Sequence, residues 1–215
     1  MNLRETDVRK VLDTRFIKAY ELSYENGVRY IDASRHDQAD LAALKSDQEI
    51  RRMLPDAVSC VLINEPPEGE LRLYLTEEFR YPMGQYLLSI PSGLIDPEDR
   101  KRGDPLKEAV TREIREETGI RLMEDDLIEV INPLLFSSPG MTDECSAVVR
   151  VIVRRDVQKE LTQKGAEESE LFRGCRWMTK EEVRKILKKG TDDTGMFFSC
   201  MTWIVMMAFV SDVFE

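Results

Sequence analysis

One short helix constrains this 215-residue chain more than any other feature of its sequence. Asp104 is a suitable side-chain cap, Pro105 suits the first helical position, and Gly119 suits a left-handed stop. These signals predict a helix over residues 105–118.

The inward side of this predicted helix changes from apolar to acidic along its length. At about 100° per residue, Glu113 and Glu117 project within roughly 20° of Leu106, while Glu116 lies about 80° away. Carboxylates that face inward repel one another unless positive charge is supplied, and such oxygen-rich clusters suit a hard divalent cation. Magnesium is favoured where substrate phosphates complete its octahedron. The alternative is an ordinary surface helix with Glu and Arg paired at i,i+3 and i,i+4.

The charge balance argues against some functional classes. The formal net charge is −10 without a local basic patch, so a nucleic-acid backbone would be repelled. The longest charge run, residues 98–102, mixes signs and is predicted to be a solvated loop. The single histidine, His36, lies in a polar run and is predicted to be exposed, which leaves no Ser-His-Asp or Cys-His apparatus.

Cysteine spacing and hydropathy indicate a cytoplasmic protein. Cys60, Cys145, Cys175 and Cys200 form no C-x-x-C pair, which is typical of reduced residues rather than a zinc site or disulfide framework. The charged N-terminus does not resemble a signal peptide. The apolar stretch 196–210 is shorter than the roughly 20 residues that span a bilayer, so we expect a buried C-terminal helix and no membrane association.

Strand and helix signals alternate without a regular βαβ rhythm. A small hairpin or meander is predicted over residues 14–32. Strands are expected at residues 58–63, 71–76, 86–90, 127–132 and 147–154, and a further helix at 179–189. The predicted fold class is α+β with a mixed sheet. We divide the chain into an N-terminal β element, residues 1–50, and a main domain, residues 51–215.

Residues 93–120 resemble the Nudix box, whose pattern is G-x5-E-x7-R-E-U-x-E-E-x-G-U with U an aliphatic residue. The second half matches without a gap at Arg112, Glu113, Ile114, Glu116, Glu117, Gly119 and Ile120. In the first half, taking Gly93 as the opening glycine leaves five extra residues between Pro97 and Gly103, and Asp104 replaces the first glutamate. The resemblance implies the Nudix fold, an α/β/α sandwich.

Flanking motifs extend the resemblance to the ADP-ribose pyrophosphatase branch of this family. Residues 78–82 are similar to its Q-x-R-x-P segment, residues 91–96 to its P-A-G-L-I-D entry, and residues 136–144 to its S-P-G loop. Ser89 departs from the glutamate that the branch usually has two residues before the proline of that entry. The order and spacing of these short motifs agree with the branch.

The resemblance also implies a set of site residues. Those for metal binding and catalysis are Arg112, Glu113, Glu116, Glu117 and the backbone carbonyl of Ser92, and those for substrate binding are Arg80, Ser138 and Gly140. Glu113 and Glu117 would be the principal ligands of Mg²⁺, with Mn²⁺ as the alternative ion. Arg112 would pair with the carboxylates, and the planar guanidinium of Arg80 suits phosphate or ribose oxygens.

A further catalytic glutamate is expected from the loop over residues 165–172. Its spacing favours Glu168 as general base, with Glu170 second, and a simply solvated acidic loop is the alternative. A free glutamate is too weak a base to activate water unaided, so the water would already be polarised by the metal.

The resemblance thus implies Mg²⁺-dependent hydrolysis of a nucleoside diphosphate linked to another group, with ADP-ribose giving AMP and ribose 5-phosphate as the first expectation. Nucleotide sugars and dinucleotides are alternatives, as is a Nudix-fold sensor that binds a nucleotide without cleaving it. The intact Arg112, Glu113, Glu116 and Glu117 set favours the enzyme. The N-terminal 50 residues are similar to the sheet that this branch often uses for dimerisation, so we expect a homodimer.

Overall fold

The computed structural model describes residues 3–158, 160–166 and 170–211. The chain divides into two compact units. The first comprises Met1–Asp56 and Leu134–Ser146, and the second comprises Ala57–Pro133 and Ala147–Glu215. The first unit therefore extends beyond the predicted N-terminal element and includes a segment from the middle of the chain.

The first unit contains an antiparallel three-stranded meander, which confirms the predicted N-terminal β element. Its strands are β1 (Val8–Asp13), β2 (Lys18–Ser23) and β3 (Arg29–Ser34), and a short helix, α1 (Asp47–Ile50), follows. The core of this unit is formed by Val8, Tyr20, Leu22 and Leu41.

The predicted exposure of His36 is wrong. Its side chain is only 20% exposed, and its Nε2 lies 3.1 Å from Oδ1 of the buried Asp56. A carboxylate twenty positions away in the sequence thus draws the imidazole inward, and local polarity gives no sign of this partner.

Over the described ranges, the second sheet has seven strands, in the order β10-β5-β4-β9-β8, with β6 paired to β5 and β7 paired to β4. They are β4 (Ala57–Asn64), β5 (Arg72–Arg80), β6 (Gln85–Ser89), β7 (Ser92–Leu94), β8 (Leu127–Phe136), β9 (Cys145–Val153) and β10 (Phe172–Thr179). The helices are α2 (Pro105–Thr118), α3 (Lys180–Lys189) and α4 (Cys200–Val210). The predicted α+β fold with a mixed sheet is confirmed.

Helices cover both faces of this sheet at β4. The thiol of Cys60 is close enough to Glu113 and Glu117 of α2 for their charges to raise its pKa, after burial itself. Val61 instead lines a cleft together with Phe209 of α4. Successive side chains of a strand point to opposite faces, so α2 and α4 lie on opposite sides of β4.

The C-terminal helix differs from its prediction in start and burial. Ser199 accepts a hydrogen bond from the backbone N–H of Thr202 at 3.1 Å, which begins the helix at Cys200 rather than near residue 196. Trp203 is 45% exposed and Met207 38% exposed, so one side of α4 is not buried. In the part of the chain that the structure describes, no helix has the length and apolar character to cross a bilayer.

Candidate active site

Helix α2 has the bounds that its capping signals predict. Asp104 Oδ1 accepts the backbone N–H of Lys107 at 3.2 Å, and Pro105 occupies the first turn. Gly119 adopts φ 80° and donates its N–H to the carbonyl of Arg115, which closes the helix. The helix packs against β4 and β7.

The buried side of α2 carries both aliphatic and acidic side chains. Val110 and Ile114 are fully buried, and on the same side Glu113 is 6% exposed and Glu117 only 2% exposed. The inward orientation of the two glutamates therefore agrees with the sequence periodicity. Gly93 makes this approach possible, because a Cβ there would lie 1.9 Å from Glu113 Oε1.

A single guanidinium holds the acidic cluster in place. Arg112 donates to Glu113 Oε1 at 2.7 Å, to Glu116 Oε2 at 3.3 Å and to the carbonyl of Leu94 at 2.7 Å. Burial lowers the pKa of Arg112. The hydrogen bond to Asp99 and the charges of the acidic neighbours together raise this pKa by more than burial lowers it, so the net value lies above the ordinary one. The group is a permanent cation in this site.

Asp99 is a site residue that the sequence prediction missed. It is 6% exposed, although residues 98–102 were predicted to be a solvated loop, and its Oδ2 accepts from Arg112 Nη2 at 2.9 Å. Counting six positions from Gly93 reaches Asp99, so Asp99 and not Asp104 occupies the first acidic position of the box. The five extra residues follow it, and Asp104 serves as the helix cap.

Glu117 is the least compensated carboxylate of the cluster. Its Oε1 accepts the backbone N–H of Ser92 at 3.0 Å, whereas its Oε2 is buried without a hydrogen-bond partner. Burial raises the pKa of Glu117 well above its ordinary value, and the charges of Glu113 and Glu170 raise it further. Burial likewise raises the pKa of Glu113 to about 7.

The donor set fits a divalent cation in chemistry and in charge. Carboxylate oxygens are the ligands that Mg²⁺ and Mn²⁺ prefer, and an added positive charge would compensate the orphaned Oε2 of Glu117. Among the described residues, no three His, Cys, Asp or Glu side chains are already grouped as a metal centre. The contacts of Arg112 with Glu113 and Glu116 give a physical reason, because the guanidinium draws these carboxylates to itself.

Arg80 lies at the end of β5 within a polar group of its own. Its Nη2 is 2.7 Å from Glu78 Oε2 and donates to Ser89 Oγ at 3.0 Å. Burial raises the pKa of Glu78, whose charge also reaches Glu117. Sequence reasoning identified Arg80 and the unusual Ser89, but it did not identify Glu78 or the pairing of all three.

The predicted loop residues have different positions in the structure. Glu170 is near enough to Glu113 and Glu117 to affect the pKa of both, whereas Glu168 lies outside the described residues. Ser138 and Gly140 belong to the first compact unit. There the carbonyl of Gly140 accepts the hydroxyl of Tyr30 at 2.5 Å.

An α+β sandwich in which one helix presents buried glutamates and an arginine, with a strand glycine packed against them, defines a Nudix-type site. The chain matches the NUDIX domain family over residues 53–198. It therefore belongs to the Nudix family.

Curated proteins of similar sequence support the same assignment. The chain is 36% identical over 107 residues to Nudix hydrolase 14, chloroplastic, of Arabidopsis thaliana, covering 46% of this chain and 33% of that one. It is 33% identical over 101 residues to putative nudix hydrolase 2 of Caenorhabditis elegans, covering 47% and 41%. It is 30% identical over 101 residues to the ADP-sugar pyrophosphatase of Mus musculus, covering 47% and 42%. The match thus spans less than half the length of each of these relatives.

A solved structure supports the fold. A crystal structure of an ADP compounds hydrolase superposes with a TM-score of 0.52 over 97% of this chain and 93% of that chain. The two sequences are 17% identical, so this likeness concerns the fold alone.

Proposed function

We propose that this chain is a Mg²⁺-dependent pyrophosphohydrolase that cleaves the diphosphate bond of ADP-ribose to give AMP and ribose 5-phosphate. The observation that carries the proposal is the buried pair Glu113 and Glu117, with one carboxylate oxygen of Glu117 lacking any partner. Two buried carboxylates on one side of a helix are costly unless a cation binds there.

The site residues divide the reaction between them. Glu113, Glu116 and Glu117 would hold the cation, with the backbone of Ser92 beside them. A bound divalent cation withdraws charge from phosphorus and lowers the pKa of its water. Glu170, or Glu168 from the same loop, would accept the proton of the attacking water as its oxygen bonds to phosphorus and the bridging P–O bond breaks.

Within the second unit we assign the substrate contact to Arg80, whereas the substrate roles of Ser138 and Gly140, which belong to the first unit, rest on the resemblance alone. Arg80 suits this role because its guanidinium is already oriented by Glu78 and Ser89, and a planar fork of donors binds phosphate oxygens well. Because Ser89 stands where the ADP-ribose branch usually has glutamate, nucleotide sugars and dinucleotides are tested beside ADP-ribose.

The test is a turnover assay on a substrate panel. Purified protein with Mg²⁺ or Mn²⁺ is incubated with ADP-ribose, a nucleotide sugar, a dinucleoside polyphosphate and a nicotinamide dinucleotide, and the products are separated by chromatography. We expect AMP and ribose 5-phosphate from ADP-ribose, and no product when EDTA removes the cation. Tight binding of ADP-ribose without product at any cation concentration would identify a sensor instead.

We also propose that the protein is a cytoplasmic homodimer that associates through the N-terminal sheet. This sheet and its turns expose the large apolar side chains Val11, Leu12, Phe16, Ile17, Val28, Tyr30 and Ile31, each at least 43% exposed. Apolar surface of this kind marks interfaces. Free thiols at all four cysteines support a reducing compartment. Sedimentation at several concentrations, for the wild type and for Phe16→Ser with Ile31→Ser, tests the stoichiometry.

A further inference from the structure

The loop before Glu170 packs directly on the last turn of α2. The backbone N–H of Thr162 donates to the carbonyl of Thr118 at 2.9 Å. A Cβ at Gly119 would lie 2.5 Å from Thr162 Cγ2 and 2.7 Å from the carbonyl oxygen of Glu160. Gly119 thus closes the helix and also leaves the space in which the loop lies.

Gly165 makes a second close approach to the same helix. A Cβ there would lie 2.9 Å from the carbonyl oxygen and 3.0 Å from the Cα of Glu116. Its backbone is not in the left-handed region, so space and not conformation requires glycine at this position. Because the opposing atoms belong to a helix backbone, they cannot move aside as a flexible side chain would.

A third contact ties the loop to the sheet. Gln163 Nε2 donates to Thr76 Oγ1 at 2.7 Å, and that hydroxyl donates in turn to the carbonyl of Gly174 at 3.0 Å. Thr76 is 1% exposed, and its hydrogen bond with Gln163 is partly buried. The loop is therefore fixed both to the carboxylate helix and to β5 and β10.

We propose that Gly165 and Gln163 are positioning residues, which set where the chain presents Glu170 to the carboxylates of α2. The inference rests on the proposed hydrolase function. Glu170 lies five positions after Gly165, and its charge reaches Glu113 and Glu117. The described part of this loop, residues 160–166, can approach the helix backbone at position 165 only through a glycine, so a bulkier residue there would displace this segment and change where the chain enters the site.

The decisive variant is Gly165→Ala, with Gly103→Ala as the matched control. A Cβ at Gly103 meets nothing within 4 Å, so the same chemical change is harmless there. We expect Gly165→Ala to lower kcat for ADP-ribose about 100-fold, as a displacement of roughly 1 Å can do, with KM changed less than about threefold. Gln163→Met, which removes the donor to Thr76, should give a smaller loss of kcat in the same sense.

A double-mutant cycle separates positioning from general damage. If Gly165 acts through Glu170, Gly165→Ala combined with Glu170→Gln should be no slower than Glu170→Gln alone. Full additivity, or a Gly165→Ala enzyme with the kcat of Gly103→Ala, would overturn the proposal.

Hydrogen exchange gives a readout that does not depend on turnover. In Gly165→Ala the amide of Thr162 should exchange faster than in the wild type, since its bond to Thr118 is strained, while amides in the middle of α2 keep their protection. Unchanged exchange at Thr162 would count against the contact itself. If the wild type cleaves nothing on the substrate panel, the hydrolase proposal fails. Hydrogen exchange at Thr162 would still test whether Gly165 fixes the loop against the last turn of α2.

Discussion

The two compact units both bury carboxylates, but they balance the negative charge differently. In the second unit the permanent cation of Arg112 contacts Glu113 and Glu116, and Glu117 keeps one oxygen without a partner. In the first unit the counter-ion is a histidine, since His36 lies 3.1 Å from Asp56. A guanidinium stays charged at any physiological pH, whereas an imidazole does not.

Two further buried carboxylates of the first unit lie within reach of the same histidine, because the charge of His36 lowers the pKa of Asp32 and the charge of Asp143 raises the pKa of His36. Asp32 is 7% exposed and Asp143 is 9% exposed, and each has one oxygen without a hydrogen-bond partner. Burial and the charge of Asp143 raise the pKa of Asp32 to about 6. In the second unit, Arg112 and a proposed metal ion compensate the negative charge at every physiological pH. In the first unit, the compensation depends on the protonation of His36 and Asp32.

The largest expected effect is on the carboxylate with the orphaned oxygen. Glu117→Gln removes a proposed metal ligand, which should lower kcat about 1,000-fold, because metal stabilisation of the transition state is worth several kcal/mol. Without cation the variant should be at least as stable as the wild type, since a buried carboxyl group whose ionisation is unfavourable has been replaced by a neutral amide. The midpoint temperature of thermal unfolding, which should rise with Mg²⁺ in the wild type, should not rise in this variant.

The matched control for this variant is Glu108→Gln, which makes the same change on the half-exposed side of the same helix. Its kcat and its Mg²⁺-dependent stabilisation should equal those of the wild type. A Glu117→Gln enzyme with wild-type turnover would show that the metal assignment is wrong, and the contrast between the two clusters would then lose its catalytic meaning.

The second prediction compares Asp99 with Asp104. Asp99→Ala leaves Arg112 with only one of its two buried carboxylate partners, so unfolding should be easier by about 3 kcal/mol and kcat should fall about tenfold or more. Asp104→Ala loses only a helix cap, which costs about 1 kcal/mol and should leave kcat unchanged. Urea denaturation and steady-state kinetics measure both. If Asp104→Ala instead caused the larger loss of stability and kcat, Asp104 and not Asp99 would occupy the first acidic position of the box.

Local periodicity was enough to predict the helix and its acidic side. The caps Asp104 and Gly119 gave the bounds of α2, and the helical repeat placed Glu113 and Glu117 inward, because both depend only on neighbours in sequence. The same held for β4, whose apolar run matched the observed strand.

Residues that depend on tertiary contacts could not be found in this way. Asp99 was missed because the five extra residues allow two alignments, and only its contact with Arg112 decides between them. Glu78 was part of the segment 78–82 that resembles a family motif, but its pairing with Arg80 and Ser89 depends on the fold and could not be predicted. His36 was placed outside the core because its partner, Asp56, is distant in sequence.

The third prediction concerns pH and the first unit. The carboxylate of Asp56, whose Oδ1 lies 3.1 Å from Nε2 of His36, raises the pKa of His36 above its ordinary value of 6.5, so the stabilising effect of this pair is complete below pH 6.5 and is lost as pH rises through the folded value. Asp32, with a folded pKa of about 6 against 3.8, also favours the folded state at low pH and loses that effect as pH rises through about 6. Asp56, whose pKa is lowered, acts oppositely, but only in the acid range.

Taken together, these shifts predict that the free energy needed to open the first unit falls between pH 5 and pH 8. Hydrogen exchange of the Ala33 amide, which donates to the carbonyl of Met141, corrected for intrinsic rates, should show this decline. Asp32→Asn should recover at most about 3 kcal/mol at pH 8, the equivalent of its pKa shift, whereas Asp37→Asn, at a 77% exposed side chain, should keep the wild-type slope. His36→Gln should be less protected at pH 5 and close to the wild type at pH 8. A flat wild-type profile would mean that the stability of the first unit does not depend on the titration of His36 and Asp32, and the contrast between arginine and histidine would then have no consequence for stability.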